Sequence, residues 1–307
     1  MNKTIILTAL ACVALAQVAY GQSLNISNSE KDPSSSVGQN HDHHSSNLAA
    51  PISIMGEHIH DKGDWMISYR YSNMHMEGNR DGADTLSAQE IVSNTTNRFY
   101  GIAGQPATLR SVPLEMDTDM HMFGGMYGIT DDVTLMLMGT YLDKSMEMQV
   151  FQGMSGTTVL GTSSSTSQGW GDTTLSALIR GFDIQTDNHT NHRLHFNVGL
   201  SLPTGDIDQE ATMLTPMNMQ MRMRLPYGMQ LGSGTYDFKP GVSYSGQSGQ
   251  WGWGAQYEAR IPLEDENKYG YRWGNQHKLS GWGIYQWQDW IGSSLRLSGS
   301  TQDSIQG

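Results

Sequence analysis

Cysteine is nearly missing from this chain. Of 307 residues only Cys12 carries a thiol, and it lies inside the first apolar stretch. Ala9, three residues before it, is not the leucine that a lipoprotein signal calls for. Once an export signal is removed no thiol is left, which excludes a disulfide framework and a thiolate metal site. Long apolar runs are missing too. Nothing after residue 21 is long and apolar enough to span a bilayer as a helix, which excludes an inner-membrane helical bundle. Positive charge is scarce: 18 Lys and Arg stand against 30 Asp and Glu, a net charge of −12. That balance argues against nucleic acid as a partner. Enzyme signatures are likewise lacking. There is no Gly-x-Ser-x-Gly elbow, phosphate loop or His-Glu-x-x-His, so the reading is of a non-enzyme, with His195 as polar lining rather than a catalytic group.

What is present begins with an export signal. Lys3 supplies a basic start, residues 4–16 an apolar core, and Ala19-Tyr20-Gly21 a small-residue cleavage site, with Ala14-Leu15-Ala16 as the second choice. Residues 1–21 therefore read as a signal peptide and 22–62 as a flexible, His-rich periplasmic segment. Residues 63–307 alternate in strands of about ten residues, apolar on one face and polar on the other. Trp65, Ile67, Tyr69 and Tyr71 against Asp64, Ser68, Arg70 and Ser72 are the first instance. Leu194, Phe196, Val198, Leu200 and Leu202 against Arg193, His195, Asn197 and Ser201 are the clearest.

This pattern predicts an all-β fold, an antiparallel up-and-down β-barrel of the outer-membrane type with nine to twelve strands. Lipid leaves a sheet edge unsatisfied, so such strands close on themselves. A soluble β-sandwich also alternates and is the competing architecture. Nine strands are expected near 63–76, 114–127, 133–148, 173–181, 194–202, 230–245, 251–262, 277–287 and 290–299. The polar stretches 77–113, 149–172, 203–228 and 263–276 are expected as the longer external loops, opposite short periplasmic turns. Trp65, Trp251, Trp253, Trp282, Trp287 and Trp290 sit near strand ends, as an interfacial girdle requires. Faces for the strand around Trp282 are ambiguous. Nine is odd, and the ninth strand runs outward, so the chain is expected to be C-terminally truncated, with an open seam between its first and last strands.

Several segments carry a family likeness: Gly63-Asp-Trp-Met-Ile-Ser-Tyr-Arg-Tyr71, Met120-His-Met-Phe-Gly-Gly-Met-Tyr127, Gly169-Trp-Gly-Asp172, Leu202-Pro-Thr-Gly-Asp206 and Leu231-Gly-Ser-Gly-Thr-Tyr-Asp237. Over roughly residues 55–307 the chain resembles the outer-membrane transporter family labelled "MetA-pathway of phenol degradation". The resemblance implies a barrel with a channel or uptake role and brings no catalytic residues. The alpha-amylase label that some members carry finds no support in these residues. The chain departs from the pattern at its end, which lacks a terminal strand with a closing aromatic residue.

Two sets of residues are candidates for function. The inward parity of the strands gives a charged lumen of Arg70, Arg180, Arg193, His195, Asp237, Lys239, Glu258, Arg260 and Arg296, a lining that selects solutes as well as satisfying itself. Along 114–122 the acidic parity is excluded from lipid, which places Glu115, Asp117, Asp119 and His121 in the lumen. Met116, Met120 and Met122 then face lipid. The second set concerns metal. Methionine is abundant, at 20 residues, and thioether with imidazole suits copper, while imidazole alone suits zinc. His41, His43, His44, His58 and His60, with Met74 and Met76, are the candidate ligands for Cu or Zn.

The sequence reading is thus an outer-membrane channel for a small solute, hydrophobic or aromatic, with the lipid bilayer as its other partner. The alternative is an outer-membrane protein that handles copper or another metal through Met and His. A barrel with a plugged lumen would do neither.

Overall fold

The computed structural model describes residues 50–307, apart from 52, 53, 55, 57, 83, 187, 188 and 289. The signal peptide and His41, His43 and His44 lie outside the described residues.

Strand β1 (Trp65–Glu77) leads into a long connection that holds β2 (Asn79–Asp81), β3 (Asp84–Leu86) and α1 (Ala88–Asn94). The sheet continues through β4 (Ser111–Thr130), β5 (Val133–Phe151), β6 (Val159–Trp170), β7 (Thr173–Gln185) and β8 (Thr190–Leu202). A second long connection carries the small hairpin β9 (Glu210–Leu214) and β10 (Gln220–Arg224) and a 3-10 turn, Tyr227–Met229. Strands β11 (Asp237–Ser248), β12 (Trp251–Pro262), β13 (Gln276–Gln288) and β14 (Ile291–Gln302) complete it. All neighbours in the sheet are antiparallel, in the order β1-β4-β5-β7-β8-β11-β12-β13-β14 with β6 beside β5. The fold is all-β, an up-and-down sheet of the outer-membrane barrel type.

Strands β6 and β7 lie end to end against one partner. Val133–Met138 of β5 pairs with β7, and Tyr141–Phe151 pairs with β6. Ten strands therefore make nine staves. The stretch 149–172, expected as an external loop, is in large part the upper half of the fourth stave. Ser163, Ser165 and Ser167 are inward and buried there, and a run of serines gives no apolar alternation to read. Conversely, residues 230–236, expected to open the sixth strand, belong to the connection before β11. No ladder joins β1 to β14 among the described residues, so the seam is open.

The outer face carries a continuous apolar belt. Ile67, Tyr69, Phe123, Leu137, Leu175, Phe196, Val198, Leu279 and Leu297 are all exposed. A soluble protein rarely exposes so large an apolar band, whereas a lipid-facing barrel wall requires one. Trp65, Trp251, Trp287 and Trp290 rim its periplasmic end. Trp282 corrects the expected girdle: it points inward, is 7% exposed and packs with Ile54 and Ile284. Its ring lies over Gly254 of the next strand, where a Cβ would fall 2.3 Å from it. Only glycine leaves that space.

The segment before β1 also differs from expectation. Its described residues, 50, 51, 54, 56 and 58–62, are not a free tail but lie across the concave face. Ile54 packs on Trp282 and Ile284 of β13, Gly56 sits against Leu178 of β7, and Ile59 packs with Met126, Met136 and Leu178. One short segment touching β13, β7 and β4 shows how far the sheet curls. Its backbone is pinned: the His60 amide donates to Thr134 Oγ1 at 2.8 Å, and the Gly63 amide to the Gly128 carbonyl at 2.8 Å. Gly128 makes the crossing possible, since a Cβ there would meet the Asp61 carbonyl oxygen at 2.1 Å.

Candidate functional site

Alternation along each strand sets which side chains line the interior. Strands β5, β7, β8, β11 and β12 do so as expected, and two chambers result.

The lower chamber, about 580 Å³, lies between the 50–62 segment and the inner wall of β7, β8, β11, β12 and β13. Arg180, Arg193 and Asp183 meet on its wall, with Arg193–Asp183 at 3.1 Å and Arg180–Asp183 at 3.5 Å. Arg180 also reaches Asp132 at 3.2 Å. A ring nitrogen of buried His195 bonds the Gly56 carbonyl, which ties this polar wall residue to the inner segment. His58 and His60 stand edge to face, with ring centroids 4.8 Å apart. Burial, with His58 beside it, holds His60 below the ordinary imidazole value. Among the described residues no group of three or more His, Cys, Asp or Glu is placed to hold a metal ion.

The upper chamber, about 300 Å³, sits beneath the connection 203–236, which folds down over the mouth. Three of the sequence motifs converge on Asp172. Its carboxylate accepts from the Gly205 amide at 3.1 Å, the Ser233 amide at 2.8 Å and the Ser233 hydroxyl at 2.9 Å. Gly205 and Gly232 let the two backbones close up, because a Cβ on Gly232 would fall 2.5 Å from the Gly205 oxygen. Arg260 bridges Asp172 at 3.4 Å and, more closely, Asp237. Asp237 also accepts from Thr235 Oγ1 at 2.7 Å. The Lys144 ammonium donates to the Gly228 and Gln230 carbonyls at 2.9 and 2.6 Å, and Lys239 donates to Thr174. Most of these charges anchor the inturned loop. Lys144 and Asp172 were not among the expected lumen residues. The Gly-Trp-Gly-Asp motif pointed to Asp172 without indicating what it holds.

Of the remaining expected lumen residues, Arg70, Glu258 and Arg296 face inward. Glu258 pairs with Lys278 at 3.4 Å, and Arg296 stands across from Trp282. Glu115, Asp117, Asp119 and His121 do not, and this is the main correction. Their strand pairs place them on the outer face with Tyr71, Asn73 and His75. Tyr71 donates to Asp119, His75 meets Asp117 at 2.7 Å, and Tyr69 meets His121 at 2.8 Å. The physical reason is length. With 20 residues in β4 and 19 in β5, these strands outrun the roughly 9–11 residues a tilted strand needs to cross lipid. Above the belt the outer face is wet and carries carboxylates; lower down the same face carries Phe123, Tyr127 and Ile129.

The methionines are therefore inside. Met66, Met74 and Met76 on β1, Met116, Met120, Met122 and Met126 on β4, and Met136, Met138, Met146 and Met148 on β5 share the concave face. Met74 and Met76 are partly exposed near the end of β1 at the seam.

No family model matches the chain and no curated protein matches it; the motif likeness stands on its residues alone. Among solved structures it is similar to an outer membrane channel from Pseudomonas putida F1, at 15% identity and a TM-score of 0.46, over 83% of this chain and 79% of that one. It is also similar to CymD, a monoaromatic hydrocarbon channel, at 14% identity and a TM-score of 0.34, over 64% of this chain and 54% of that one.

Proposed function

We propose that this chain is an outer-membrane channel for a small apolar or aromatic solute. The observation that supports this most is the inner wall of β1, β4 and β5, where thioethers far outnumber the charged side chains, Arg70 and Lys144. A pore for ions or sugars presents polar groups to replace lost hydration. Flexible, polarisable methionines instead suit apolar and aromatic guests of varied shape. The two chambers lie along this interior, the lower bounded by the 50–62 segment and the upper by the inturned loop. Passage therefore depends on movement of these segments.

The polar lining on the other wall suits a solute with one hydrogen-bonding group, such as a phenol or an aromatic alcohol. The test is accumulation of a radiolabelled monoaromatic in intact cells, where the lipopolysaccharide layer is the barrier. Cells lacking the gene should accumulate it more slowly, and the full-length gene should restore the rate. Equal rates with and without the gene would overturn the proposal.

A further inference from the structure

The methionines are not spread evenly along the wall. Met146, Met148, Met213 and Met229 are 7%, 5%, 5% and 0% exposed and pack into one cluster with Leu225, with Met116 against it. They come from β5, the β9–β10 hairpin and the 3-10 turn, so tertiary folding alone gathers them. A buried apolar cluster normally excludes polar atoms, yet two orphaned hydroxyls flank this one. Ser165 stands directly across from Met146, and Thr118 lies in the next inward row down the sheet, across from Lys144. Ser165 is 4% and Thr118 3% exposed, and neither hydroxyl oxygen has a hydrogen-bond partner among the described residues. A buried hydroxyl without a partner bears its full desolvation cost, which calls for an explanation such as an ion or water.

The donor set selects the ion. Thioether sulfur is a soft ligand and suits Cu(I) and its analogue Ag(I). No carboxylate belongs to the cluster, and the Lys144 ammonium is bonded to carbonyls beside Met229. A divalent cation preferring oxygen would find no charge compensation there. A route from solvent is also visible. Met217, Met219, Met221 and Met223 on and beside β10 are exposed, and Met221 pairs directly across from buried Met213.

We propose that Met146, Met148, Met213 and Met229, with Met116 at the rim, form a binding site for a soft monovalent cation, Cu(I) or Ag(I), loaded from the external side over the methionines of the β9–β10 hairpin. Ser165 and Thr118 add weak oxygen donors. Thioethers carry no proton at any ordinary pH, so the site fills without releasing protons, and its affinity does not change between pH 5 and pH 6.5, where the Lys144 ammonium beside Met229 stays charged. Neither feature depends on passage of an apolar solute.

The experiment is Ag(I) titration of the detergent-purified full chain, followed by calorimetry at pH 5 and pH 6.5, with X-ray absorption on the loaded protein. The expected result is saturable binding of equal affinity at both pH values and a coordination shell dominated by sulfur. The double substitution Met146→Leu with Met148→Leu preserves volume and should weaken binding at least tenfold, while Met221→Leu should slow loading and leave the affinity unchanged. A shell dominated by nitrogen, an affinity that falls at pH 5, or full binding by the double variant would each overturn the site. The absorption and pH measurements use the unaltered protein, so they decide the matter even where the double variant fails to fold. Ag(I) binding is read on the unaltered purified protein and monoaromatic accumulation on cells with and without the gene, so the two proposals fail separately.

Discussion

The two walls of this sheet obey the same alternation and use it differently. On the wall of β1, β4, β5 and β6 the two central strands, β4 and β5, run to 20 and 19 residues, the inner face is rich in methionine and serine, and the upper outer face is acidic. On the wall of β8, β11, β12 and β13 the strands are 12 or 13 residues long and the inner face is a polar network. There Arg260 joins Asp237 and Asp172, Gln256 donates to Ser243 at 2.9 Å, and Ser280 meets Ser298 at 2.9 Å. Alternation decides which side chains point inward, but not whether the interior they meet is wet, ion-paired or apolar. The inner segment and the inturned loop follow this difference. Ile59 and Met229 bury on the methionine wall, while Gly56, Ser233 and Thr235 are held by polar groups.

The sharpest way to break the comparison is at the polar wall. Asp237 is fully buried, and its removal strands the Arg260 guanidinium with only the longer Asp172 contact. Asp237→Ala should cost roughly 3–5 kcal/mol, measured by denaturant unfolding in detergent; a loss below about 1 kcal/mol would show the ion pair to be water-exposed in practice. The outer belt comes next. Val198→Arg puts charge into lipid and should cost about 2–4 kcal/mol. Asp117→Arg, on the same outer face but above the belt, should lie within about 0.5 kcal/mol of the parent. Similar damage from both would return the acidic row to the membrane or the lumen.

A third test addresses what crosses the interior. Gly128→Ala pushes a methyl group into the Asp61 carbonyl and should displace residues 58–62, at about 1–3 kcal/mol, while the sheet stays intact. The readout is protease cleavage at Lys62, which should accelerate; unchanged cleavage would mean that the crossing is not packed as described. The smallest effect is a pH dependence of that docking. His60 titrates below its ordinary value when docked, so a released segment takes up the proton first. Its contribution is complete above the ordinary imidazole value near 6.5 and is lost as pH falls through 6.5 toward the lower docked value. Cleavage at Lys62 should therefore rise modestly between pH 7 and pH 5, and His60→Gln should flatten the profile.

Much of the fold was legible, and the failures were local. Phe196 and Val198 were assigned outward and His195 and Asn197 inward, because β8 lies within the belt and its two faces differ along its whole length. Residues 114–122 read with faces reversed because a carboxylate row is incompatible with lipid contact. That inference is sound only for a strand confined to the bilayer, and β4 is not confined to it. The strand 159–170 reads as a loop because its inward residues are serines, whose burial against Met146 and Met148 no local pattern announces. The candidate site was legible in part. Arg180, Arg193, Asp237 and Arg260 were placed inside, but their partners Asp183 and Asp172 come from other segments of the chain.

The sequence by itself determined the strand periodicity, the antiparallel meander and the outward aromatic belt. These depend on residues two apart and on short turns such as Gly249-Gln250, where Gly249 takes a positive φ of 55°. Tertiary structure alone decided which segments enter the interior. The packing of Ile54 on Trp282, the meeting of Asp172 with Gly205 and Ser233, and the gathering of Met146, Met213 and Met229 each join residues dozens or hundreds of positions apart. Their partners are fixed by sheet curvature and strand stagger, and neither quantity is encoded in the spacing of any one strand.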